Sequence, residues 1–192
     1  GETQLAVRAY KTGSDLPIDQ ADLIFFLIDL DQIKRINDRQ GHAAGDAVLT
    51  EMRQRLQSVF RGSDFLIRWG GEEFLAVARG ASRAKAAELA ERIRIAVNGT
   101  AIYCDKTEPV SVTCSIGFAP YPFLCGHPQA VGWKEVLALA DAALYAAKNS
   151  GRNSWVGFTG NDQAELGSML AVLRAAPETA LHSGVVGVSR SS

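Results

Sequence analysis

The order of apolar and polar positions predicts a series of strands and helices. Residues 23–28, LIFFLI, form an uninterrupted apolar run of strand length, and Asp29 follows at once. Such a run is typical of a strand that is buried on both faces. From Asp46 to Phe60 the apolar residues recur at intervals of three and four, which predicts an amphipathic helix packed on a sheet.

The next segment predicts a β-hairpin whose turn carries two carboxylates. Residues 65–69 and 73–78 have the composition of strands, and a Gly-Gly pair followed by Glu72 and Glu73 stands at their junction. A surface hairpin more often uses Asn-Gly or Asp-Gly at its turn. A solvated turn with ordinary charges is the plain interpretation, but glycine permits close approach of another backbone, which favours a functional turn.

The remaining chain predicts two further helices and several strands. One helix has Ser82 as its candidate N-cap, and another begins at Trp133 and ends at a C-cap glycine, Gly151. Strand candidates lie at residues 101–104, 110–119 and 154–158, and a Pro-rich loop covers residues 120–132. This order of elements predicts an α/β chain, an α+β sandwich with a mostly antiparallel central sheet flanked by helices.

The chain beyond about residue 160 differs in character from the part before it. Gly, Ser and Ala dominate, and only the segment AELGSMLAVLRAA has helical potential. We therefore expect a mobile or loosely docked C-terminal tail.

Composition narrows the class of protein. The chain has 192 residues, of which 47% are hydrophobic, and a net charge of −1, which predicts one globular domain and offers no basic surface for DNA. No apolar run reaches the length of a membrane span and no signal peptide is evident, so we expect a cytoplasmic domain without direct membrane contact. Cys104, Cys114 and Cys125 lack a C-x-x-C spacing and are expected to be reduced, structural thiols.

The carboxylates of the first strand and of the turn predict a metal site. If the hairpin pairs beside the first strand, Asp29 lies next to Glu72 and Glu73. Like charges at this distance repel one another unless a cation lies among them. Mg²⁺ prefers such oxygen ligands and leaves its other positions to water and phosphates, so we expect Mg²⁺, with Mn²⁺ as an alternative.

Three blocks of sequence together resemble the GGDEF domain of diguanylate cyclases. They are GGEEF at residues 70–74, FFLIDLDQIKRINDRQGHAAGDAVL from Phe25 and ADAALYAAKNSGRN from Ala140. The resemblance extends over residues 22–156 and implies a fold like that of cyclases and polymerase palms. It also implies that two domains face each other as a homodimer, each with one GTP, and form cyclic di-GMP and two pyrophosphates.

The same resemblance implies a role for individual residues in catalysis. Asp29, the Leu30 carbonyl and Glu73 match metal ligands, and Glu72 matches a further ligand or the group that assists deprotonation of the 3′-hydroxyl. Two-metal chemistry requires such a cluster. The positions that match guanine and phosphate ligands form a larger set, with the last a weaker candidate: Asn37 and Asp46 for guanine, then Lys34, Lys148, Arg152 and Arg68 for phosphates.

A second site is implied just before the turn. Arg61 and Asp64 form an R-x-x-D at the position of the family's inhibitory product site, and Arg92 matches an additional arginine of that site. Arginine can bind guanine through two hydrogen bonds, and aspartate can accept from its other edge. Because R-x-x-D alone is common, and its plain interpretation is a turn capped by Asp64, its place relative to GGEEF carries the hypothesis.

The domain boundaries and the activity leave alternatives open. We assign residues 1–21 to an N-terminal lead-in, 22–158 to the GGDEF domain and 159–192 to the tail. The D-x-L-T-G-L-x-N-R segment with which such domains usually open is missing, which suggests a trimmed or divergent member. The first hypothesis is an active diguanylate cyclase with product inhibition. The alternatives are a weak or inactive receptor for cyclic di-GMP and, less favoured, a cyclase of altered base choice.

Overall fold

The computed structural model describes residues 22–103, 109–175, 177–179, 184 and 186–191. The predictions made for residues 1–21 and for Cys104 lie outside this part of the chain. None of the helices within it is long and apolar enough to span a membrane.

Six strands and five α-helices succeed one another along the described chain. They are β1 (Asp22–Leu30), α1 (Ile33–Gln40), α2 (His42–Val59), β2 (Phe65–Gly70), β3 (Glu73–Ala81), α3 (Ala86–Asn98), β4 (Cys114–Tyr121), α4 (Trp133–Asn149), β5 (Trp155–Gly160), α5 (Leu166–Ala175) and β6 (Val186–Arg190). Short 3₁₀ turns cover Arg83–Lys85 and Pro177–Thr179.

The strands form one sheet in the order β2-β3-β1-β4-β5-β6. Strand β1 pairs antiparallel with both β3 and β4, and the β2-β3 and β5-β6 pairs are antiparallel too. Among the strand pairs of the described residues, only β4 and β5 run parallel. The predicted mostly antiparallel sheet with flanking helices is therefore confirmed.

Alternation along β1 divides the core into two layers. Leu23, Phe25 and Leu27 pack with α4 on one face, whereas Ile24 and Phe26 pack with α2 and α3 on the other. Successive side chains of a strand point to opposite faces, so a strand covered on both sides must be apolar at every position. The uninterrupted run LIFFLI is thus the sequence of a central strand.

Two predicted elements begin later along the chain than expected. The structure starts β4 at Cys114 and continues it to Tyr121, into the predicted loop, while Val110 forms an isolated bridge with Ile102. Ser82 makes no side-chain cap, and α3 begins only at Ala86 after the 3₁₀ turn.

A side chain from elsewhere in the fold binds the start of the 3₁₀ turn that follows Ser82. The buried carboxylate of Asp22 accepts the backbone N–H of Arg83 at 3.1 Å. This long-range contact satisfies one of the free N–H groups at the start of the 3₁₀ turn.

The end of α4 agrees with the sequence to within one residue. The helix stops at Asn149 with Ser150 as its C-cap, and Gly151 follows at a left-handed φ of 109°. Gly151 thus lies one residue after the C-cap rather than at the C-cap itself. The position just after the C-cap is where helices most often place a left-handed residue.

The expected mobile tail is corrected wherever its residues are described. Strand β6 pairs with β5, and helix α5 buries Met169 and Leu173 in the same core layer as α4. The carboxylate of Glu165 accepts the N–H groups of Gly167 and Ser168 at 2.8 and 2.6 Å, which satisfies free donors at the start of α5. The helical potential of this segment is confirmed, and apolar burial rather than composition decides its docking.

Candidate active site

The turn between β2 and β3 carries Glu72 and Glu73, and we call it the glutamate turn. It lies beside the end of the central strand β1. In the pairing of β1 with β3, Asp29 stands opposite Glu73, and the Leu30 N–H donates to the Glu72 carbonyl at 3.2 Å. The condition set by the sequence, that the hairpin pairs next to the first strand, is met. The carboxylates of Asp29 and Glu73, on neighbouring strands, thus lie at the same end of the sheet, the end at which the chain leaves β1 for α1.

Helix α4 brings a cation to this end of the sheet. Lys148, in the last turn of α4, places its Nζ 2.8 Å from Asp29 Oδ2. Asp29 is nearly buried, so the ammonium partly offsets a charge that water reaches poorly. The structure therefore joins two predicted site residues that lie far apart in sequence.

The carboxylates also influence one another. The pKa of Glu72 is raised, first by burial and then by the negative charge of Asp29; Glu73 and Asp31 raise it further, and Lys148 opposes them. A raised pKa means that the ionised form is disfavoured where it stands. A proton or a cation would relieve this repulsion, which agrees with a role for Glu72 as a base or a metal ligand.

The metal site itself stays a prediction. Among the described residues, no group of three or more His, Cys, Asp or Glu side chains is already arranged to hold a metal ion. One oxygen of Asp29 is instead directed to Lys148. The donors nevertheless fit a hard divalent cation, because Asp29 and Glu73 supply oxygen ligands from opposite positions of two paired strands.

Asp31 is a residue that sequence reasoning missed. It is 5% exposed, and its carboxylate accepts the hydroxyls of Thr113 and Ser115 at 2.6 and 2.8 Å and the Asn153 N–H at 3.0 Å. A buried carboxylate requires such donors. The signal that could have found it is the second Asp of the D-L-D that follows the apolar run.

Of the two predicted guanine ligands, Asp46 lines a cavity and Asn37 lies against the neighbouring Gly45. Asp46 and Arg68 both line a cavity of about 500 Å³, together with Phe74 at its apolar wall. Asn37 is not among its lining residues; its Oδ1 is buried without a hydrogen-bond partner among the described residues. Because Gly45 would overlap the Asn37 amide if it carried a methyl group, the glycine leaves room for this side chain beside Asp46.

The remaining predicted phosphate ligands are placed differently from one another. Arg68 Nε donates to the Gly71 carbonyl at 2.8 Å, so this arginine braces the glutamate turn. Lys34 is exposed in the first turn of α1, and Arg152 is exposed in the loop after α4 at a left-handed φ of 64°. No contact joins Lys34 to the Asp29–Lys148 pair within the described part of the chain.

A second cavity, which we name the arginine cavity, collects the predicted product-site residues. Its volume is about 340 Å³, and Arg61, Asp64 and Arg92 all line it. Sequence reasoning missed Arg79 and Lys85, which line it as well, because they come from the next strand and the turn after it. Its four cationic side chains outnumber the carboxylates of Asp64 and Glu88, which favours an anionic ligand.

Asp64 is already engaged with the backbone of the arginine cavity. Its two oxygens accept the N–H groups of Arg61 at 2.8 Å and Arg79 at 2.9 Å. The plain interpretation of R-x-x-D as a turn capped by Asp64 therefore holds, and the product site stays a prediction. Of the three predicted residues, Arg61 and Arg92 are the ones whose side chains can face a ligand, and Arg92 also donates to the Val59 carbonyl at 3.4 Å.

Comparison with known protein families and structures agrees with this geometry. The profile of the family described as "Diguanylate cyclase, GGDEF domain" matches residues 8–154. The chain is 37% identical over 145 residues to diguanylate cyclase DosC of Escherichia coli K12, a match that covers 76% of this chain and 29% of that protein.

Two solved structures show the same fold. The GGDEF domain of DgcB from Caulobacter crescentus, in complex with c-di-GMP, is 29% identical with a TM-score of 0.65, covering 79% of this chain and 82% of that one. The active GGEEF domain of a diguanylate cyclase from Vibrio cholerae is 30% identical with a TM-score of 0.62, covering 78% and 86%.

This chain is a member of the GGDEF domain family of diguanylate cyclases. It spans about 29% to 38% of the length of the curated relatives YhcK of Bacillus subtilis and DosC.

Proposed function

We propose that this chain condenses two GTP molecules into cyclic di-GMP and two pyrophosphates, as one half of a two-domain active site. The observation that carries the proposal is the pairing of Asp29 with Glu73 at the end of β1, with Lys148 Nζ 2.8 Å from Asp29. Relatives named as diguanylate cyclases, such as DosC with 37% identity, align with most of this chain.

The carboxylate cluster would hold Mg²⁺, or Mn²⁺ in its place. Asp29, Glu73 and the Leu30 carbonyl are the expected ligands, and Glu72 either completes them or takes the proton of the 3′-hydroxyl. A bound divalent ion would neutralise charge on the triphosphate and polarise the phosphorus–oxygen bond that breaks. The pKa of Glu72 is raised, first by burial and then by the charge of Asp29, and a raised pKa favours a carboxyl that accepts a proton.

Selection of GTP over ATP would rest on Asn37 and Asp46. A carboxylate accepts from the N1 and N2 donors of guanine, and an amide can serve the remaining edge. The buried, unpartnered Oδ1 of Asn37 supports this role, since a ligand would satisfy it. Cations would bind the phosphates and offset charge that develops on pyrophosphate as it leaves: Lys34, Lys148, Arg152 and, less directly, Arg68.

The two-domain reaction predicts that specific activity rises with protein concentration. Each domain supplies one GTP, and the reacting centre exists only where two domains face each other. The rate of cyclic di-GMP formation per protomer should therefore increase over the concentration range in which analytical ultracentrifugation shows dimers forming. A constant rate per protomer in samples that are wholly monomeric would contradict the shared active site.

A second candidate function, binding of cyclic di-GMP as product or as signal, is favoured by the arginine cavity. Its excess of cationic side chains suits a ligand with two phosphodiesters and two guanines. The GGDEF domain of DgcB was crystallised in complex with c-di-GMP, so a relative of this fold binds that dinucleotide. In an active cyclase this site would give product inhibition, and in a weak or inactive one it would leave a receptor module.

Arg61→Ala should weaken cyclic di-GMP binding by about tenfold to a hundredfold, the effect of losing one good two-point contact to guanine. GTP affinity should stay nearly unchanged because Asn37 and Asp46 lie outside the arginine cavity. Isothermal titration of both ligands measures the difference, with Lys134→Ala as a control that removes an exposed cation elsewhere. Equal losses for the two ligands would indicate one shared pocket or a damaged fold, and an unchanged cyclic di-GMP affinity would refute the site.

A further inference from the structure

The loop after α4 has an unusual backbone. Gly151, Arg152 and Asn153 follow one another with φ of 109°, 64° and 44°. Glycine adopts such angles freely and asparagine tolerates them, but an arginine in this region is uncommon. A left-handed residue of this kind persists only where its surroundings enforce it. The loop must therefore be held from outside.

Asp31 holds the loop through its backbone. Asp31 Oδ2 accepts the Asn153 N–H at 3.0 Å, immediately after the Arg152 peptide. The carboxylate cannot turn away, because the hydroxyls of Thr113 and Ser115 hold its two oxygens at 2.6 and 2.8 Å. This contact joins the loop to the end of the central strand, two residues beyond Asp29.

Arg94 holds the same loop through a side chain. One terminal nitrogen of Arg94 donates to Asn153 Oδ1 at 3.0 Å. Its Nε and other terminal nitrogen donate to the two oxygens of Glu91 at 3.0 and 2.6 Å, and Glu91 also accepts the indole N–H of Trp155 at 2.9 Å. The guanidinium is thus fixed by a two-point ion pair on α3, and its remaining nitrogen is committed to Asn153.

We propose that Asp31 and Arg94 are positioning residues of the triphosphate site, which fix Asn153 and thereby present the Arg152 guanidinium to the phosphates. Arg152 is held on its other side as well, since its N–H donates to the Ala147 carbonyl at 3.3 Å. The inference rests on the proposed role of Arg152 as a phosphate ligand. Asp31 and Arg94 act through Arg152 and do not contact the nucleotide.

A double-mutant cycle between Arg94 and Arg152 tests the proposal. The probe is a GTP analogue with a methylene group between its α- and β-phosphates, titrated with Mg²⁺ into the full chain. Arg94→Met alone should lower the affinity for the analogue by about fivefold to thirtyfold, the size of effect expected when one supporting contact is lost. In an Arg152→Ala background the same change should alter affinity by less than about twofold, because its effect passes through the missing guanidinium.

The affinity for cyclic di-GMP distinguishes a positioning role from a general loss of structure. A general loss of structure would lower this affinity, whereas loss of a positioning contact would leave it unchanged. The affinity of cyclic di-GMP for the arginine cavity should be the same in Arg94→Met as in the wild type. Arg55→Met serves as a matched control, because Arg55 also pairs with a glutamate and donates to two backbone carbonyls, those of Val97 and Thr100. It should leave the affinity for the analogue unchanged.

The outcomes separate this inference from the proposed function. Independent losses that multiply in the double variant, or an unchanged affinity of Arg94→Met, would overturn the positioning role while GTP binding stands. A wild type that binds cyclic di-GMP but not the analogue would overturn the proposed function and this role with it. If Arg94→Met does not fold, Asn153→Gly removes the Arg94 acceptor without backbone strain and should show the same dependence on Arg152.

Discussion

Glu73→Gln is expected to lose Mg²⁺-dependent formation of cyclic di-GMP while the fold stays intact. Glu73 stands opposite Asp29 in the β1-β3 pairing, where its charge and that of Asp29 can hold a cation together. A neutral amide of the same shape removes one of these charges without disturbing the strand. We expect the rate to fall by more than about a hundredfold. Substitution of a residue that only supports a metal ligand already lowers metal affinity or activity by about ten- to a hundredfold.

The assay compares initial rates of cyclic di-GMP formation, with circular dichroism to verify the fold. Asp141→Asn is the matched control, since it neutralises an exposed carboxylate on α4 that has no predicted role and should leave the rate unchanged. If the wild type forms too little product, Mg²⁺-dependent GTP binding takes the place of the rate. Near-normal activity in a folded Glu73→Gln variant would remove the metal assignment.

Gly117→Ala should destabilise the domain strongly. A methyl group at Gly117 would overlap the Ala140 carbonyl and the Leu144 N–H, which belong to the backbone of α4. A helix backbone cannot rotate aside as a side chain can, so β4 and α4 would have to separate. We expect a loss of about 3 kcal/mol in the free energy of unfolding, the upper part of the usual range for overpacking.

Denaturant unfolding of the wild type and of Gly117→Ala measures this loss. Gly126→Ala is the control, because its new methyl group would meet only Asp162 Oδ1, at an ordinary 3.7 Å. Activity should fall with stability in Gly117→Ala, since α4 also carries Lys148 to Asp29. A variant as stable as the control would show that β4 and α4 do not pack as closely as described.

The parts of the fold that local sequence determines were predicted well. Strand β1 is apolar at every position from Leu23 to Ile28 because helices cover both its faces, and this pattern is visible in LIFFLI alone. The adjacency of Asp29 and Glu73 followed from one assumption, that the hairpin pairs beside β1, which the register confirms. Matched sequence blocks then supplied the candidate ligands that periodicity could not.

The parts that depend on contacts between distant residues could not be predicted. The carboxylate of Asp22 accepts the N–H of Arg83, 61 positions away, whereas the expected local cap at Ser82 is not formed. Asp31 meets Asn153 across a separation of 122 residues, so no local pattern marks the pair. In the tail, composition suggested mobility, but the pairing of β6 with β5 depends on apolar positions that only the tertiary fold brings to the sheet.

The most direct test of the central claim is to incubate the full chain with GTP and Mg²⁺ at high protein concentration and to separate the nucleotides by chromatography. We expect cyclic di-GMP, with two pyrophosphates released for each molecule formed, and no product when ATP replaces GTP. A folded, dimeric protein that leaves GTP unchanged yet binds cyclic di-GMP would contradict the cyclase assignment and leave the receptor function in its place.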